Sequence, residues 1–291
     1  MSSITPTVNK IQLKDGTKVF YREAGSKDKP IFLLLHGYPT SSIMFRNLVP
    51  LLSQHYHVIA PDLPGFGFTE TPKGYDYSFA NITDSIDEFI SILKIDSFKV
   101  YIFDYGAPVA FRLALKNPSR ITGIVAQNGN AYEEGIDDRF WGALKQYWAK
   151  GDEQDPGYVD ALSKFIEDKQ NILSQYYEGV SNPNVIDPAP AVLDEFLLKR
   201  PGQTKIQLGL FYDYQNNIKL YPQFQSFLRN SKVPVLVAWG KNDYIFTVEG
   251  AEAYKRDASK FKAKYYETGH FALETHVEEI AADIIDFFVK E

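Results

Sequence analysis

The sequence of 291 residues contains no cysteine, which excludes disulfide bridges, thiolate metal ligands and a cysteine nucleophile. It also contains no apolar run near the roughly 18 residues that a helix needs to cross a bilayer. The N-terminal segment MSSITPTVNK lacks the charged and then apolar layout of a signal peptide. We therefore expect a cytoplasmic protein with no membrane span.

Clustered positive charge is missing as well. The net charge is −6, the isoelectric point is near 5.5, and no stripe of Lys and Arg stands out, so no nucleic-acid partner is expected. The sequence has no Gly-x-Gly-x-x-Gly turn, no Walker-type loop and no cluster of metal ligands, so we expect neither a cofactor nor a bound metal. Hydrophobic residues make up 44% of the chain and aromatic residues 15%, which is enough for an ordinary buried core.

Short apolar runs alternate along the chain with longer segments of helical period. The runs predict strands at residues 11–13, 18–22, 31–35, 57–60, 99–103, 121–127, 233–239 and 264–266. The periodic segments predict helices at 42–53, 79–93, 107–116, 248–258 and 277–289. Such alternation is typical of an α/β fold, with a mostly parallel central sheet flanked by helices on both faces.

The alternation stops at about residue 131 and resumes at about residue 231. The hundred residues between these points carry no clear strand, look mainly helical and are crowded with Tyr, Phe and Trp. We interpret residues 131–230 as a helical cap inserted between two strands. Residues 1–130 and 231–291 then form the core domain.

Asp104 stands between an apolar strand and a helix in the segment VYIFDYGAP (100–108). A nucleophile elbow needs such a tight turn, with a small residue two positions later so that the backbones can approach each other. Gly106 is that small residue, and Pro108 suits a first helical turn. Asp is also a preferred helix N-cap, so the turn alone leaves both interpretations of Asp104 open.

Two further loops at the carboxyl ends of predicted strands hold matching parts, and ligands bind at such ends in parallel sheets. The first loop is LHGYPT (35–40), where the amide of Tyr38 could form an oxyanion hole with the amide of Tyr105, next to the nucleophile. The second is TGHF (268–271), where His270 is a candidate base. Asp243, after the preceding strand, could orient that histidine. The chain order of Asp104, Asp243 and His270 is the order used by hydrolases with this kind of elbow.

With these motifs the sequence resembles the α/β-hydrolase superfamily over nearly its whole length. More narrowly, it looks like the branch with an aspartate nucleophile, which includes epoxide hydrolases and haloalkane dehalogenases. DYGAPVA (104–110) is similar to the elbow of epoxide hydrolases, where His-Asp-Trp-Gly-Ala-Pro-Val is usual. HGYPTSS (36–42) is closer to the dehalogenase pattern, and PDLPGFG (61–67) resembles a loop common to both.

The chain departs from both patterns at particular residues. Many dehalogenases hold the leaving halide with a Trp after the nucleophile and an Asn in a His-Gly-Asn-Pro motif, whereas this chain has Tyr105 and Tyr38 there. Epoxide hydrolases use cap tyrosines as acids that protonate the opening ring oxygen. The segment FYDYQN (211–216) is similar to a cap segment with such a tyrosine, which indicates Tyr214, and Tyr147 is the candidate for a second.

The resemblance therefore implies a hydrolase that forms a covalent alkyl ester on Asp104, which a water activated by His270 then hydrolyses. An epoxide hydrolase, converting an epoxide to a vicinal diol, is the first expectation, and a haloalkane dehalogenase is the alternative. A serine esterase is excluded because no Gly-x-Ser-x-Gly occurs. A non-catalytic ligand-binding protein on the same scaffold stays open. The expected partners are a small apolar organic substrate and water, and the sequence leaves the oligomeric state open.

Overall fold

The computed structural model describes residues 5–289, whose centre is an eight-stranded sheet. The strands are β1 (Thr7–Gln12), β2 (Lys18–Ala24), β3 (Ile31–Leu35), β4 (His57–Pro61), β5 (Phe98–Phe103), β6 (Ile121–Gln127), β7 (Val235–Gly240) and β8 (Phe261–Tyr266). They lie in the order β1-β2-β4-β3-β5-β6-β7-β8. The strand β2 runs antiparallel to both neighbours. The other six strands, β4, β3, β5, β6, β7 and β8 in spatial order, are mutually parallel. The predicted α/β fold with a mostly parallel sheet is confirmed.

Burial explains the apolar runs in the sequence. Every residue of β4 and β7 is buried, as are the last four residues of β3 and of β5. Helices cover both faces of a parallel sheet, so central strands have no solvent-facing positions and show no alternation of polar and apolar residues. These strands end at the same edge of the sheet, and the loops that follow them meet there.

Three helices lie in the first half of the chain: α1 (Leu48–Leu52), α2 (Phe79–Ile92) and α3 (Gly106–Lys116). The continuous helix predicted at 42–53 is wrong, because a short 3₁₀ turn (Ser42–Phe45) precedes a separate α1. Pro50 explains the interruption. It has no N–H to donate to the carbonyl of Arg46, and its ring would collide with that carbonyl in an uninterrupted helix.

Seven α-helices lie between β6 and β7, all within the described residues. They are α4 (Asp138–Lys150), α5 (Pro156–Glu167), α6 (Lys169–Tyr177), α7 (Pro188–Leu198), α8 (Gln203–Asp213), α9 (Gln215–Ile218) and α10 (Tyr221–Ser231). The helical insertion predicted between two strands of the sheet is therefore present, and the division into a core unit and a cap unit stays a prediction. After β7 come α11 (Val248–Ala253) and α12 (Val277–Phe288).

Two contacts tie the inserted helices to the rest of the chain. The ring of Tyr176 in α6 stacks on Phe271, with centroids 4.0 Å apart. A carboxylate oxygen of Asp213 in α8 accepts a hydrogen bond of 2.7 Å from the backbone N–H of Phe79 in α2. Aromatic stacking and a charge-assisted hydrogen bond are among the stronger local interactions. Within residues 5–289, no helix combines the length and apolar character needed to cross a membrane.

Candidate active site

Asp104 occupies a strained turn between β5 and α3. Its φ of +45° lies in the left-handed region, which a residue with a side chain adopts at an energetic cost and which clusters at functional sites. The turn depends on two glycines, because a Cβ on Gly37 would collide with the Asp104 carboxylate and one on Gly106 with the carbonyl of Leu35. The local sequence therefore favours a turn that lifts the carboxylate off the end of the sheet.

Two backbone amides face the carboxylate of Asp104. The N–H of Tyr38 donates to Oδ1 over 2.6 Å, and the N–H of Tyr105 also interacts with the carboxylate. Burial raises the pKa of Asp104 to about 6, although the charge of His270 and the two amides oppose this rise. At neutral pH the group is therefore mostly ionised. Because the Tyr38 amide binds Oδ1, Oδ2 is the more available nucleophilic oxygen.

His270 and Asp243 form a fully buried pair beside this carboxylate. The Nδ1–H of His270 donates to Oδ2 of Asp243 over 2.7 Å, while Nε2 has no hydrogen-bond partner among the described residues. Burial lowers the pKa of His270, but the charge and hydrogen bond of Asp243 and the charge of Asp104 outweigh it, so the net pKa is raised. The bond at Nδ1 fixes the tautomer in which Nε2 can accept a proton.

Asn128 holds Asp243 in place and was not among the site residues predicted from the sequence. Asn128 follows β6 with a φ of +48°, and its Nδ2 donates to Oδ2 of Asp243 over 2.8 Å. Its Oδ1 accepts the N–H of Gly240 over 2.9 Å, which ties the end of β6 to the end of β7. Gln127 adds a bond of 2.8 Å from its Nε2 to the carbonyl of His270. The sequence indicates these two residues only as a polar pair, Gln127 and Asn128, at the end of an apolar strand.

A narrow cavity, walled mainly by apolar side chains, opens beside Asp104. A wider cleft between α4, α5 and α6 shares Phe140, Leu144 and Phe211 with it, and Arg139 and Glu178 lie on the rim of that cleft. An ion pair of 3.9 Å joins these two charged side chains. The shared side chains form a common wall of the narrow cavity and the wider cleft. The other residues on the cavity wall are Tyr38, Tyr105, Trp141, Gln175 and Ile245.

Tyr214 lies one ring behind the cavity wall. Its ring centroid is 5.8 Å from that of Tyr105 and 4.6 Å from that of Trp141, both of which line the cavity. Its hydroxyl is 3.3 Å from the hydroxyl of Tyr221, which accepts a hydrogen bond of 3.4 Å from Asn130. Tyr214, which the sequence predicts as an acid, therefore lies near the site, and its hydroxyl is paired with the hydroxyl of Tyr221.

Tyr147 lies away from the cavity, which does not support its predicted role as a second acid. Its hydroxyl donates to the backbone carbonyl of Glu153 over 2.5 Å. Its ring packs against Tyr158 and Tyr212, with centroids 5.3 and 5.0 Å away. Because its hydroxyl bonds to a carbonyl inside the inserted helices and its side chain is not on the cavity wall, we leave Tyr147 out of the proposed reaction.

The fold and this arrangement together define a class of protein. A carboxylate on a strand-to-helix elbow, a buried histidine–aspartate pair and two backbone amides are the kinds of parts that hydrolases with a nucleophile elbow combine. In residues 5–289, no group of three or more His, Asp or Glu side chains could hold a metal ion.

Comparison with known proteins gives the family. The family model described as the alpha/beta hydrolase fold matches residues 30–277, so the chain belongs to the α/β-hydrolase family and is a hydrolase. It is 61% identical over 290 residues to an uncharacterized hydrolase of Saccharomyces cerevisiae, and the match covers 100% of both chains. A haloalkane dehalogenase of Bradyrhizobium diazoefficiens is 40% identical over 109 residues, covering 38% of this chain and 35% of that protein.

Solved structures show the same fold. A haloalkane dehalogenase of Bradyrhizobium elkani superposes with a TM-score of 0.78 at 21% identity, covering 97% of both chains. An epoxide hydrolase without ligand superposes with a TM-score of 0.75 at 20% identity, covering 98% of this chain and 99% of the other. The prediction of an α/β-hydrolase with relatives in the aspartate-nucleophile branch is confirmed.

Proposed function

We propose that this hydrolase is an epoxide hydrolase that works through an ester on Asp104. The observation that carries the proposal is the geometry of one carboxylate. The Tyr38 amide binds Oδ1 at 2.6 Å, and the unpartnered Nε2 of His270 lies in the same buried site. An ionised carboxylate attacks carbon without a base. A histidine is needed only for the water that follows.

In the first step Oδ2 of Asp104 attacks a ring carbon of the epoxide. A carbon–oxygen ester bond forms, the carbon–oxygen bond of the ring breaks, and the ring oxygen takes up a proton from a tyrosine hydroxyl. The product of this step is a hydroxyalkyl ester of Asp104. Desolvation of the carboxylate, which raises the pKa of Asp104 to about 6, also removes water that would weaken its attack.

In the second step His270 accepts a proton from water at Nε2, and the hydroxide attacks the carbonyl carbon of the ester. The negative charge then develops on Oδ1, where the amides of Tyr38 and Tyr105 stabilise it. The bond between the carbonyl carbon and Oδ2 then breaks. The alkoxide that leaves carries Oδ2 and takes the proton from His270. The diol leaves, the Asp104 carboxyl group releases the proton of the added hydroxide to solvent and becomes a carboxylate again, and the tyrosine regains one proton from solvent.

Tyr105 is our first choice for the acid of the first step. It lines the cavity, and its hydroxyl is buried without a partner among the described residues. It also stands where many dehalogenases carry the Trp that holds a halide. An indole N–H can bind a leaving group but cannot protonate it, whereas a phenol can. Tyr214, the acid predicted from the sequence, is our second choice because its hydroxyl pairs with Tyr221 one ring behind the wall.

Replacement of each tyrosine by Phe distinguishes the two. Tyr105→Phe should lower the rate of ester formation from an epoxide by on the order of 10²–10⁴-fold, the usual contribution of a general acid. Tyr214→Phe should have a smaller effect on the same step. A larger loss in Tyr214→Phe would assign the acid to Tyr214, and full activity in both would remove both from the role.

The alternative dehalogenase function has less support from the cavity. Trp141 is the indole on its wall, and its Nε1–H already donates to the carbonyl of Ile245 over 2.7 Å. Trp148 is similarly committed, with 2.9 Å to the carbonyl of Phe211. A halide ion in the cavity would therefore find neither indole free to hold it.

Product analysis tests the proposal directly. The purified protein should convert terminal aliphatic or aryl epoxides to diols and release no halide from chloroalkanes or bromoalkanes of the same size. Asp104→Ala is the control and should form no diol. Halide release without diol formation would support the dehalogenase instead. Inactivity on both classes, from a folded protein, would favour a ligand-binding protein on the hydrolase scaffold.

A further inference from the structure

Gln175 is a buried polar side chain whose amide group has no hydrogen-bond partner among the described residues. It lies on α6, is 1% exposed, and lines the cavity beside Asp104. Neither its amide nitrogen nor its amide oxygen has a hydrogen-bond partner among the described residues. Most buried polar side-chain atoms have at least one partner, so a buried amide with none calls for an explanation.

The two unpaired amide atoms of Gln175 lower the stability of the folded protein. A buried donor or acceptor without a partner destabilises a folded protein, and both the amide nitrogen and the amide oxygen of Gln175 are of this kind. A methionine would fill similar space at that position without the penalty. The amide is therefore a feature that stability alone disfavours, which is typical of functional sites.

Neighbouring contacts fix the position of Gln175 along α6. The preceding Ser174 has its Oγ 3.0 Å from the hydroxyl of Tyr244. The following Tyr176 stacks on Phe271 at 4.0 Å and donates its hydroxyl to Asp194 over 2.5 Å. With both neighbours held, the helix cannot easily rotate to carry Gln175 into solvent. The amide stays beside the cavity whether or not a molecule occupies it.

The other residues on the wall indicate what kind of group would pair with this amide. They are aromatic or aliphatic except for Asp104, and no Lys or Arg is among them. An anionic group would meet the charge of Asp104 in a desolvated space with no cation to offset it. A cationic group would compete for the nucleophile itself. A neutral group with a donor and an acceptor fits the amide best.

We propose that Gln175 is the substrate-recognition group of this cavity, and that the substrate is an epoxide bearing a neutral hydrogen-bonding group, a hydroxyl or a carboxamide, on a carbon outside the ring. This rests on the proposed epoxide hydrolase function. The amide of Gln175 bonds the polar group and so directs a ring carbon toward Asp104. The earlier expectation of a purely apolar substrate becomes an apolar chain with one polar group.

The test compares pairs of epoxides of equal size. One of each pair carries a terminal hydroxyl and the other a terminal methyl, on chains of several lengths. The wild-type protein should show a higher kcat/KM for the hydroxyl epoxide of at least one length, by roughly tenfold or more, since a site built to bond a polar group rejects the analogue that lacks it. Gln175→Met should lose or reverse that preference.

Stability provides a second readout. Gln175→Met should melt at the same temperature as the wild type or higher, because the variant removes two unpaired buried atoms. A lower melting temperature would mean that the amide has a structural role and would overturn the proposal. Gln207→Met is the matched control, because Gln207 is a buried glutamine on α8 that is not on the cavity wall, and it should leave the ratio of the two kcat/KM values unchanged.

The possible failures are distinguishable. If the wild type hydrolyses both epoxides of every pair equally well, the epoxide hydrolase function stands and the role of Gln175 falls. If Gln175→Met slows both epoxides by the same factor, the residue shapes the cavity and recognises no polar group. If the wild type hydrolyses neither epoxide, the proposed function fails, and the proposal for Gln175 fails with it.

Discussion

Asp243→Asn is a substitution whose effect can be worked out from three hydrogen bonds. The Asp243 carboxylate accepts from Nδ1–H of His270 at 2.7 Å, from Nδ2 of Asn128 at 2.8 Å and from the N–H of Ile245 at 2.7 Å. The first two donors meet Oδ2, and the third meets Oδ1. An asparagine has only one oxygen, so its NH₂ must face a donor on one side or the other.

Either orientation damages the site. With the NH₂ toward Ile245, a buried N–H loses its acceptor. With the NH₂ toward His270, the imidazole must accept at Nδ1 and carry its proton on Nε2, where it can no longer act as a base. The second orientation also sets the new NH₂ against the NH₂ of Asn128. The protein should be destabilised by about 1–3 kcal/mol, the cost of one unsatisfied buried group.

The two chemical steps should respond differently. When the NH₂ faces His270, the histidine loses its correct tautomer, which lowers the rate of the dependent step on the order of 10⁴-fold, equivalent to about 5.5 kcal/mol of activation free energy. Only the hydrolysis of the ester depends on His270, because Asp104 attacks without a base. Ester formation should therefore proceed at close to the wild-type rate.

Rapid mixing with excess epoxide measures both steps. Asp243→Asn should show a burst of about one equivalent of consumed epoxide per site, followed by slow turnover, and the ester should be detectable by mass. Wild-type turnover in this variant would refute the role of Asp243. A slow first step without a burst would refute the division of labour between Asp104 and His270.

Two further predictions concern pH. The rate of ester formation should rise with pH through about 6, where Asp104 ionises. The rate of ester hydrolysis should rise at higher pH, where His270 loses its proton, because the charge and the hydrogen bond of Asp243 raise the pKa of His270 and both persist in the ester. Stopped-flow measurement of each step from pH 5 to 9 checks the order. Burial raises the pKa of Asp194 from 3.8 to about 8, so the folded state holds a proton that the unfolded state releases, and the contribution of Asp194 to the free energy of unfolding should fall as pH rises from about 4 to 8. Asp194→Asn should flatten this fall in thermal melts recorded across that range.

Each of these has its contradicting result. A first step that titrates at a higher pH than the second would reverse the assignment of the two groups. Equal dependence of the melting temperature on pH in Asp194→Asn and the wild type would show that Asp194 is ionised in the folded protein.

The sheet could be predicted from the sequence because buried parallel strands are uniformly apolar. The bounds of β3 and β6 match the predicted runs at 31–35 and 121–127. The broken helix at 42–53 was missed because its apolar spacing is helical and only Pro50 indicates the interruption. Inside the region between β6 and β7, aromatic residues are so frequent that composition indicates packing without indicating which rings meet.

The candidate site was predictable where function demands a fixed chain order and a tight turn. Asp104, Asp243 and His270 follow strand ends, and the elbow requires Gly106. Other features depend on packing between distant segments. The commitment of the Tyr147 hydroxyl to a carbonyl and the absence of a partner for Gln175 follow from how the helices pack, and no local pattern encodes either.

The central claim is that Asp104 forms an ester with its substrate, and intact-mass measurement of His270→Gln tests it most directly. This variant should stop after the first step and gain the entire mass of an added epoxide, on the peptide that contains Asp104. A haloalkane would instead add the substrate mass less that of the hydrogen halide. A folded His270→Gln protein that gains no mass from any epoxide, or that keeps the adduct when Asp104 is also replaced by Ala, would contradict the account.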